Sequence, residues 1–303
     1  MKRPPFLKPN DKVVIVSPSG NVSPAHVNGA VDVFQEWGLE VSVSENALCQ
    51  IGRFSGLVDQ RLYDLQSAMN NPDVKLIFSS RGGYGAVHLL DKLDFSQIKG
   101  NPKWLVGFSD ITALHTAFQS HGIMSIHGPM AKHFAEEGSA NLSVQYTKDA
   151  TMSGKGLNYK IPVEYPFLNR EGKASGTLFG GNLSVYTSLF GSEYIKIPRD
   201  GILFIEDIGE EPYRIDRMIY QLKISGIFNK IEGLIVGHFT EYEEDNSMYS
   251  TLYESILSAV KEFDFPICFG FPVGHTKTNL PIIMGGNATL TIKKDTVLLK
   301  QRY

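Results

Sequence analysis

The chain has 303 residues, 42% hydrophobic and 20% charged, with a formal net charge of −3. That balance fits a soluble globular enzyme and marks no basic footprint of the kind that nucleic acid or an anionic membrane surface requires. The two cysteines, Cys49 and Cys268, stand in no metal or redox spacing, so a disulfide framework is not expected and the cytoplasm is the simplest address. The start, MKRPPFLKPNDKV, holds no apolar h-region, and no window reaches the ~18 apolar residues of a membrane span.

VVIV (13–16) predicts a buried strand that ends at the turn SPSGNVS. Ser23 is placed to cap a helix with Pro24 in its first turn. Val27, Ala30, Val31 and Phe34 follow the stripe of an amphipathic helix. LEVSV (39–43) alternates as a strand, and Leu62, Leu65 and Met69 mark a second helix. KLIFSS (75–80) is a strand that runs directly into RGGYG. WLVGF (104–108) is another, and Ile111, Leu114, His115 and Phe118 stripe the helix behind it. This alternation argues for an α/β domain with a parallel, helix-covered sheet over residues 1–140.

Residues 141–172 are polar and rich in Gly, Ser, Asn and Lys, and are expected to be a linker holding at most a short helix. A second domain, 173–303, opens on GTLFGGNLS and carries strands at GILFIED (201–207), GLIVGHF (233–239) and ATLTI (288–292). Ile215, Met218, Ile219 and Leu222 share one face of a helix that starts near 212, and the tail NATLTIKKDTVLLKQ reads as a β-hairpin around KKD.

Four features carry chemistry. Ser109, in GFSDI (107–111), sits where a strand turns into a helix, the place at which an open α/β sheet presents functional groups. The stretch lacks the second glycine of G-x-S-x-G, so these residues serve equally a nucleophile elbow or a helix N-cap, with Asp110 favourable at the positive helix end. The glycines of SSRGGYG (79–85) suit either backbone amides that hold an anion or a tight turn. In FIEDIGEEPYRIDRM (204–218), Glu206 and Asp207 end an apolar strand, where carboxylates are costly unless paired. Glu210 and Glu211 are assigned to the start of the next helix. His275, in the Gly/Pro-rich loop FGFPVGHTKTNLPIIMG (269–285), is the histidine best placed for catalysis. His88 and His115 fall on helices as packed or solvated groups, and no H-E-x-x-H or Cys/His cluster points to a metal.

Taken in order, RGGYG (81–85), GFSD (107–110), GGNLS (180–184), IED…EEPYRIDR (205–217) and GFPVGH (270–275) resemble the LD-carboxypeptidase family of serine peptidases, the muramoyltetrapeptide carboxypeptidases. The resemblance implies an N-terminal domain of glutamine-amidotransferase-like type and a C-terminal domain built around a small β-barrel. It assigns Ser109 as nucleophile, Glu206 as triad acid and His275 as general base, with an oxyanion hole from the backbone of Asp110 and the Gly82–Gly83 turn. No metal or other cofactor is implied. The implied substrate is a cytoplasmic muropeptide that loses its terminal D-alanine in cell-wall recycling, and a homodimer is expected. A carboxypeptidase must also hold a free carboxylate, for which Arg81, Lys277 and the Gly181–Asn182 segment are candidates, although Asn182 equally suits a helix cap. An alternative is the microcin C immunity branch, which hydrolyses acyl-adenylate-type amides and stacks an aromatic side chain on adenine. Both tryptophans, Trp37 and Trp104, lie in the first domain, and the second offers Tyr165 and Phe167 at its entry, which tilts the sequence toward the muropeptide.

Overall fold

Short runs dominated by Val, Ile and Leu become buried strands, and the striped segments between them become the helices that cover those strands. In the computed structural model, which describes residues 1–303, the chain forms two units, residues 1–156 with 280–285 and residues 157–279 with 286–303. No helix is long and apolar enough to cross a membrane.

The first unit contains β1 (Lys12–Val16), β2 (Glu40–Val43), β3 (Val74–Ser79), β4 (Trp104–Gly107) and β5 (Ser125–His127). Its helices are α1 (Pro24–Glu36), α2 (Val58–Asn70), α3 (Ser96–Gly100), α4 (Thr112–Ser120), α5 (Ala131–Glu137) and α6 (Leu142–Lys148). Strands β1 to β5 are parallel in the order β2-β1-β3-β4-β5, the doubly wound order of flavodoxin type, whose direction switches between β1 and β3. Helix α1 buries Val27, Ala30, Val33 and Phe34. Val33 takes the place expected of Val31 on that face, beside Phe34, whose ring meets Phe78 at 4.9 Å and Phe134 at 5.1 Å.

Two expectations need correction here. The sheet is not wholly parallel, because Ile282–Met284 returns to it and pairs antiparallel with β5. Nor is 141–172 only a linker with a short helix. That helix is α6, capped by Asn141, which accepts the backbone N–H groups of Ser143 and Val144, but residues 157–162 form a strand.

The second unit holds β6 (Leu157–Pro162), β7 (Gly172–Asn182), β8 (Gly201–Ile208), β9 (Ile231–Thr240) and β10 (Ile267–Phe269). Counting Ile282–Met284 of the first unit as β11, the terminal hairpin is β12 (Asn287–Lys293) and β13 (Thr296–Arg302). The sheet order is β10-β9-β8-β7-β12-β13-β6, with β7 to β10 parallel and the rest antiparallel. No ladder joins the end strands β10 and β6, so the strand pairing does not close the small barrel that the resemblance implied. Helices α7 (Leu183–Ser188), α8 (Pro212–Ile224) and α9 (Leu252–Ala259) complete the unit. Ile215, Ile219 and Leu222 of α8 join Leu203, Ile205, Leu234 and Val236 in one core, with Met218 half-buried beside them.

Strand β7 has Gly176 where the backbone of Asp200 crosses it, and a β-carbon there would lie 1.7 Å from the Asp200 carbonyl oxygen. Gly176→Ala must push that loop off the sheet and is expected to destabilise the second unit by about 1–3 kcal/mol, the usual cost of overpacking. Urea denaturation should show a lower midpoint with an unchanged slope. A midpoint equal to wild type would show that the loop yields freely.

Candidate active site

In the first unit the ends of β1, β3 and β4 bring their loops together at the switch point. Gly107 ends β4 and Ser109 follows at φ +63°, a left-handed conformation uncommon for a residue with a β-carbon. The turn continues as a single 3₁₀ turn, Ser109–Ile111, and then as α4. The N-cap positions of the 3₁₀ turn and of α4 are taken by Phe108 and Ile111, not by Ser109. Gly82 packs directly against it, and a β-carbon at Gly82 would lie 2.8 Å from Ser109 Cβ and 3.1 Å from Oγ. The nucleophile candidate and the glycine-rich turn are therefore one packed construction.

Asp110 is buried, and its side chain, expected only as a favourable charge at the helix start, ties three loops together. Its Oδ2 accepts Ser19 Oγ at 2.6 Å and the Ala86 amide at 2.8 Å. Burial raises its pKa above the ordinary 3.8, opposed by those two hydrogen bonds and by the charges of Arg61 and His88. Arg61, also buried, donates from Nη1 to the carbonyls of Pro18 at 2.7 Å and Gly85 at 2.8 Å. The Gly20 amide donates to the Gly82 carbonyl at 2.9 Å. Gly83, at φ +100°, lies on the turn held from these sides. Arg81 is exposed and donates from Nη1 to the Asn21 carbonyl at 2.8 Å.

His115 is packed, as its helical position suggests, and serves the elbow from behind. A carbonyl only accepts, so Nε2 carries the proton given to Gly107 O at 2.8 Å, and Nδ1 then accepts from Ser125 Oγ at 2.8 Å. Complete burial lowers its pKa to about 4, which keeps it neutral at physiological pH.

In the second unit the candidates again stand at the carboxyl ends of parallel strands. The register of β8 on β9 shifts between Ile205 and Asp207, and such a bulge re-aims the side chains around it. Glu206 is fully buried, and its Oε2 lies 2.8 Å from His275 Nδ1. Its other oxygen, Oε1, is buried and accepts no hydrogen bond. A carboxylate accepts only, so His275 carries its proton on Nδ1 and leaves Nε2 as a base. Burial pushes the His275 imidazole down, but the charge and hydrogen bond of Glu206, with the charges of Asp207 and Glu241, outweigh it and hold the pKa above the ordinary 6.5. Gly274, at φ +117°, precedes His275, and a β-carbon there would lie 2.9 Å from Glu206 Oε2. Its amide donates to Asn279 Oδ1 at 3.0 Å, which closes the loop on itself.

Asp207 points away to a different task. It accepts Asn182 Nδ2 at 2.9 Å, the Ser184 amide at 2.8 Å and the Ile208 amide at 2.8 Å. Burial and then the neighbouring Glu206 charge raise its carboxyl to about 6. Asn182 is buried, and its Oδ1 caps α7 through the Val185 amide, which is the helix-cap alternative open in the sequence. Gly181 beside it has φ +135°. Lys277 is exposed. Glu211 precedes α8 and Glu210 lies 3.7 Å from Arg214, so both sit at the helix start as the dipole favours.

Residues 13–128 match the LD-carboxypeptidase N-terminal domain, and residues 175–290 the LD-carboxypeptidase C-terminal domain. A Bacillus subtilis protein named as a probable murein peptide carboxypeptidase is 32% identical over 313 residues, spanning 98% of this chain and 94% of its own. The crystal structure of muramoyltetrapeptide carboxypeptidase from Oxalobacter formigenes aligns with a TM-score of 0.86 at 32% identity, covering 96% of this chain and 99% of that one. The microcin C7 self-immunity protein of Escherichia coli is 26% identical over 277 residues, 82% of this chain and 80% of its own.

Gly82→Ala places its new methyl against the Ser109 side chain. If Ser109 is a nucleophile, a displacement near 1 Å lowers its reactivity by about 10²-fold. The check is the rate at which a serine-directed fluorophosphonate labels Ser109, and an unchanged rate would separate the glycine turn from the serine.

Proposed function

The chain belongs to the LD-carboxypeptidase family, and from that premise we propose that it is a serine-type carboxypeptidase that removes the terminal D-alanine from murein tetrapeptides. The observation that carries the reading is the buried Glu206 carboxylate hydrogen-bonded to His275 Nδ1. That contact fixes the tautomer a general base needs and stabilises the imidazolium that forms on proton transfer.

In this reading Ser109 Oγ attacks the carbonyl carbon of the scissile amide, and its proton passes to His275 Nε2. The amides of Asp110 and of the Gly82–Gly83 turn receive the oxyanion, each such donor being worth roughly 2.7–4 kcal/mol to the transition state. His275 returns the proton to the departing D-alanine nitrogen. Water, deprotonated by the same imidazole, then releases the acyl group from Ser109. Arg81 spends one guanidinium N–H on Asn21 and keeps donors for the substrate's terminal carboxylate, a role that Lys277 and the Gly181 backbone share in the proposal. The same reading gives the protein a cytoplasmic place in cell-wall recycling, without a metal or other cofactor, and a homodimeric state.

A second reading, cleavage of acyl-adenylate-type amides, draws on one observation. Phe167 is 97% exposed and so open to stacking, whereas Tyr165 packs edge-on against Tyr253 at 5.1 Å.

Purified protein given murein tetrapeptide is expected to release D-alanine, Ser109→Ala to abolish release, and EDTA to leave the rate unchanged. No release from tetrapeptide together with cleavage of an aminoacyl sulfamoyl adenylate would replace the first reading by the second. The pH profile follows from the sign of the His275 shift. A base must be deprotonated, and the raised pKa places the acid limb of kcat/KM above pH 6.5. Glu206→Gln removes the largest raising influence while burial remains, so the limb moves to lower pH as the plateau falls by about 10⁴-fold. A limb that stayed in place would exclude His275 as the titrating base.

A further inference from the structure

The sheet of the second unit carries a groove on its outward face that none of Ser109, Glu206 or His275 lines. Cross-strand register aligns Thr177, Asn287 and Arg302 in one row, Ser175, Thr289 and Lys300 in the next, and Lys173, Thr291 and Leu298 in a third. The alternate positions Ala174, Leu290 and Leu299 are buried, so these rows form the outward face. Arg199 and Asp200 complete a cavity of about 720 Å³ over it. Their loop is seated on the strand by the close approach at Gly176, and Asp200 takes φ +56° there.

Four cations, Lys173, Arg199, Lys300 and Arg302, line this cavity with one carboxylate, Asp200. None of the four is in an ion pair, on a chain whose net charge is −3. Lysines on edge strands guard against aggregation, but β13 lies between β12 and β6, so Lys300 has no edge to guard. Like charges gathered on one face repel and lower stability, and an anion in the groove reverses that cost. Lys300 and Arg302 are two apart on one strand face, about 6.6–6.8 Å, a spacing from which long side chains can close on one tetrahedral anion. Arginine offers the forked donors that match phosphate oxygens. The remaining lining is hydroxyl and amide, with Ser175 Oγ and Thr289 Oγ1 already 3.0 Å apart. Those groups and Asp200 suit the hydroxyls of a polyol. The volume falls in the range of small-molecule sites.

We propose that this groove is a binding site for a small polyhydroxylated organic phosphate, a sugar-phosphate-like molecule, separate from the peptidase machinery. The cations take the phosphate, and the Ser/Thr/Asn rows and Asp200 take the hydroxyls.

The test is titration calorimetry of the full chain with glucose 6-phosphate, inorganic phosphate and glucose as probes. Glucose 6-phosphate is expected to bind with a sub-millimolar Kd, at least tenfold tighter than inorganic phosphate, and glucose not to saturate. Affinity should fall as salt rises. The double variant Arg199→Gln, Arg302→Gln is expected to weaken binding at least tenfold while D-alanine release and circular dichroism stay as in wild type. Lys300→Gln, a single exposed change, supplies the same comparison if the double variant fails to fold. No saturable binding of glucose 6-phosphate would overturn the proposal. So would affinity equal to that of inorganic phosphate, or affinity unchanged in these variants. Because binding is read directly, its loss is distinguishable from any failure of the peptidase reading.

Discussion

A carboxylate buried to zero exposure beside one imidazole is the constraint around which the second unit is arranged. Glu206 has His275 as its hydrogen-bonded partner and leaves Oε1 without one, so the charge it carries is offset chiefly through that single contact. Burying such a charge unpaired costs several kcal/mol, and the local structure reflects the need to keep the pair intact. The bulge at the end of β8 aims Glu206, Gly274 leaves room for its Oε2, and Asn279 holds the His275 loop closed. Asp207, one residue on, has its charge spread over four donors instead. Adjacent carboxylates thus separate into one that orients the His275 imidazole and one that organises the start of α7.

The first unit solves a similar problem with opposite economy. Its buried carboxylate, Asp110, takes neutral donors from Ser19 and Ala86 and the nearby charge of Arg61, and so fastens the loops after β1 and β3 to the turn after β4. These are the loops beside the doubly wound switch point, where such sheets bind ligands. Removing Arg61 would leave a buried carboxylate with less compensation, the kind of change that destabilises strongly. The motif's aspartate contributes through its side chain, a role apart from the backbone amide that the resemblance singles out.

How legible this was in the sequence depends on the range of the interaction. Strands β1, β3, β4, β8 and β9 and helices α1 and α8 are read from periodicity because burial of one face is a local pattern. Strand β7 escapes as a strand, since its glycines look like loop composition. They are there because other backbones cross closely, Asp200 at Gly176 and Phe204 at Gly180. Ile282–Met284 reads as part of a loop, and nothing local shows that it pairs with Ser125–His127. Arg61 and Asp64 lie on the buried face of α2 among Leu65, Ala68 and Met69, where the hydrophobic period simply skips them. The contact between Glu206 and His275 spans 69 residues, and no spacing rule reaches it. Strand-end and loop position single out its participants, and only the resemblance supplies their roles.

Ser109 ties these arguments to backbone energetics. A non-glycine residue at φ +63° costs of order 1–3 kcal/mol and persists only where its surroundings over-determine it. Here they do so from three directions. His115, held neutral by burial, pins the Gly107 carbonyl, Asp110 pins the turn after the serine, and Gly82 packs against the side chain itself. A helix cap needs none of this, since capping residues adopt ordinary extended angles and bond to the helix they begin. Ser109 holds neither cap position, which fall to Phe108 and Ile111. The bracing from these three directions holds the Ser109 side chain in one place at the carboxyl end of a parallel strand, where such sheets present functional groups.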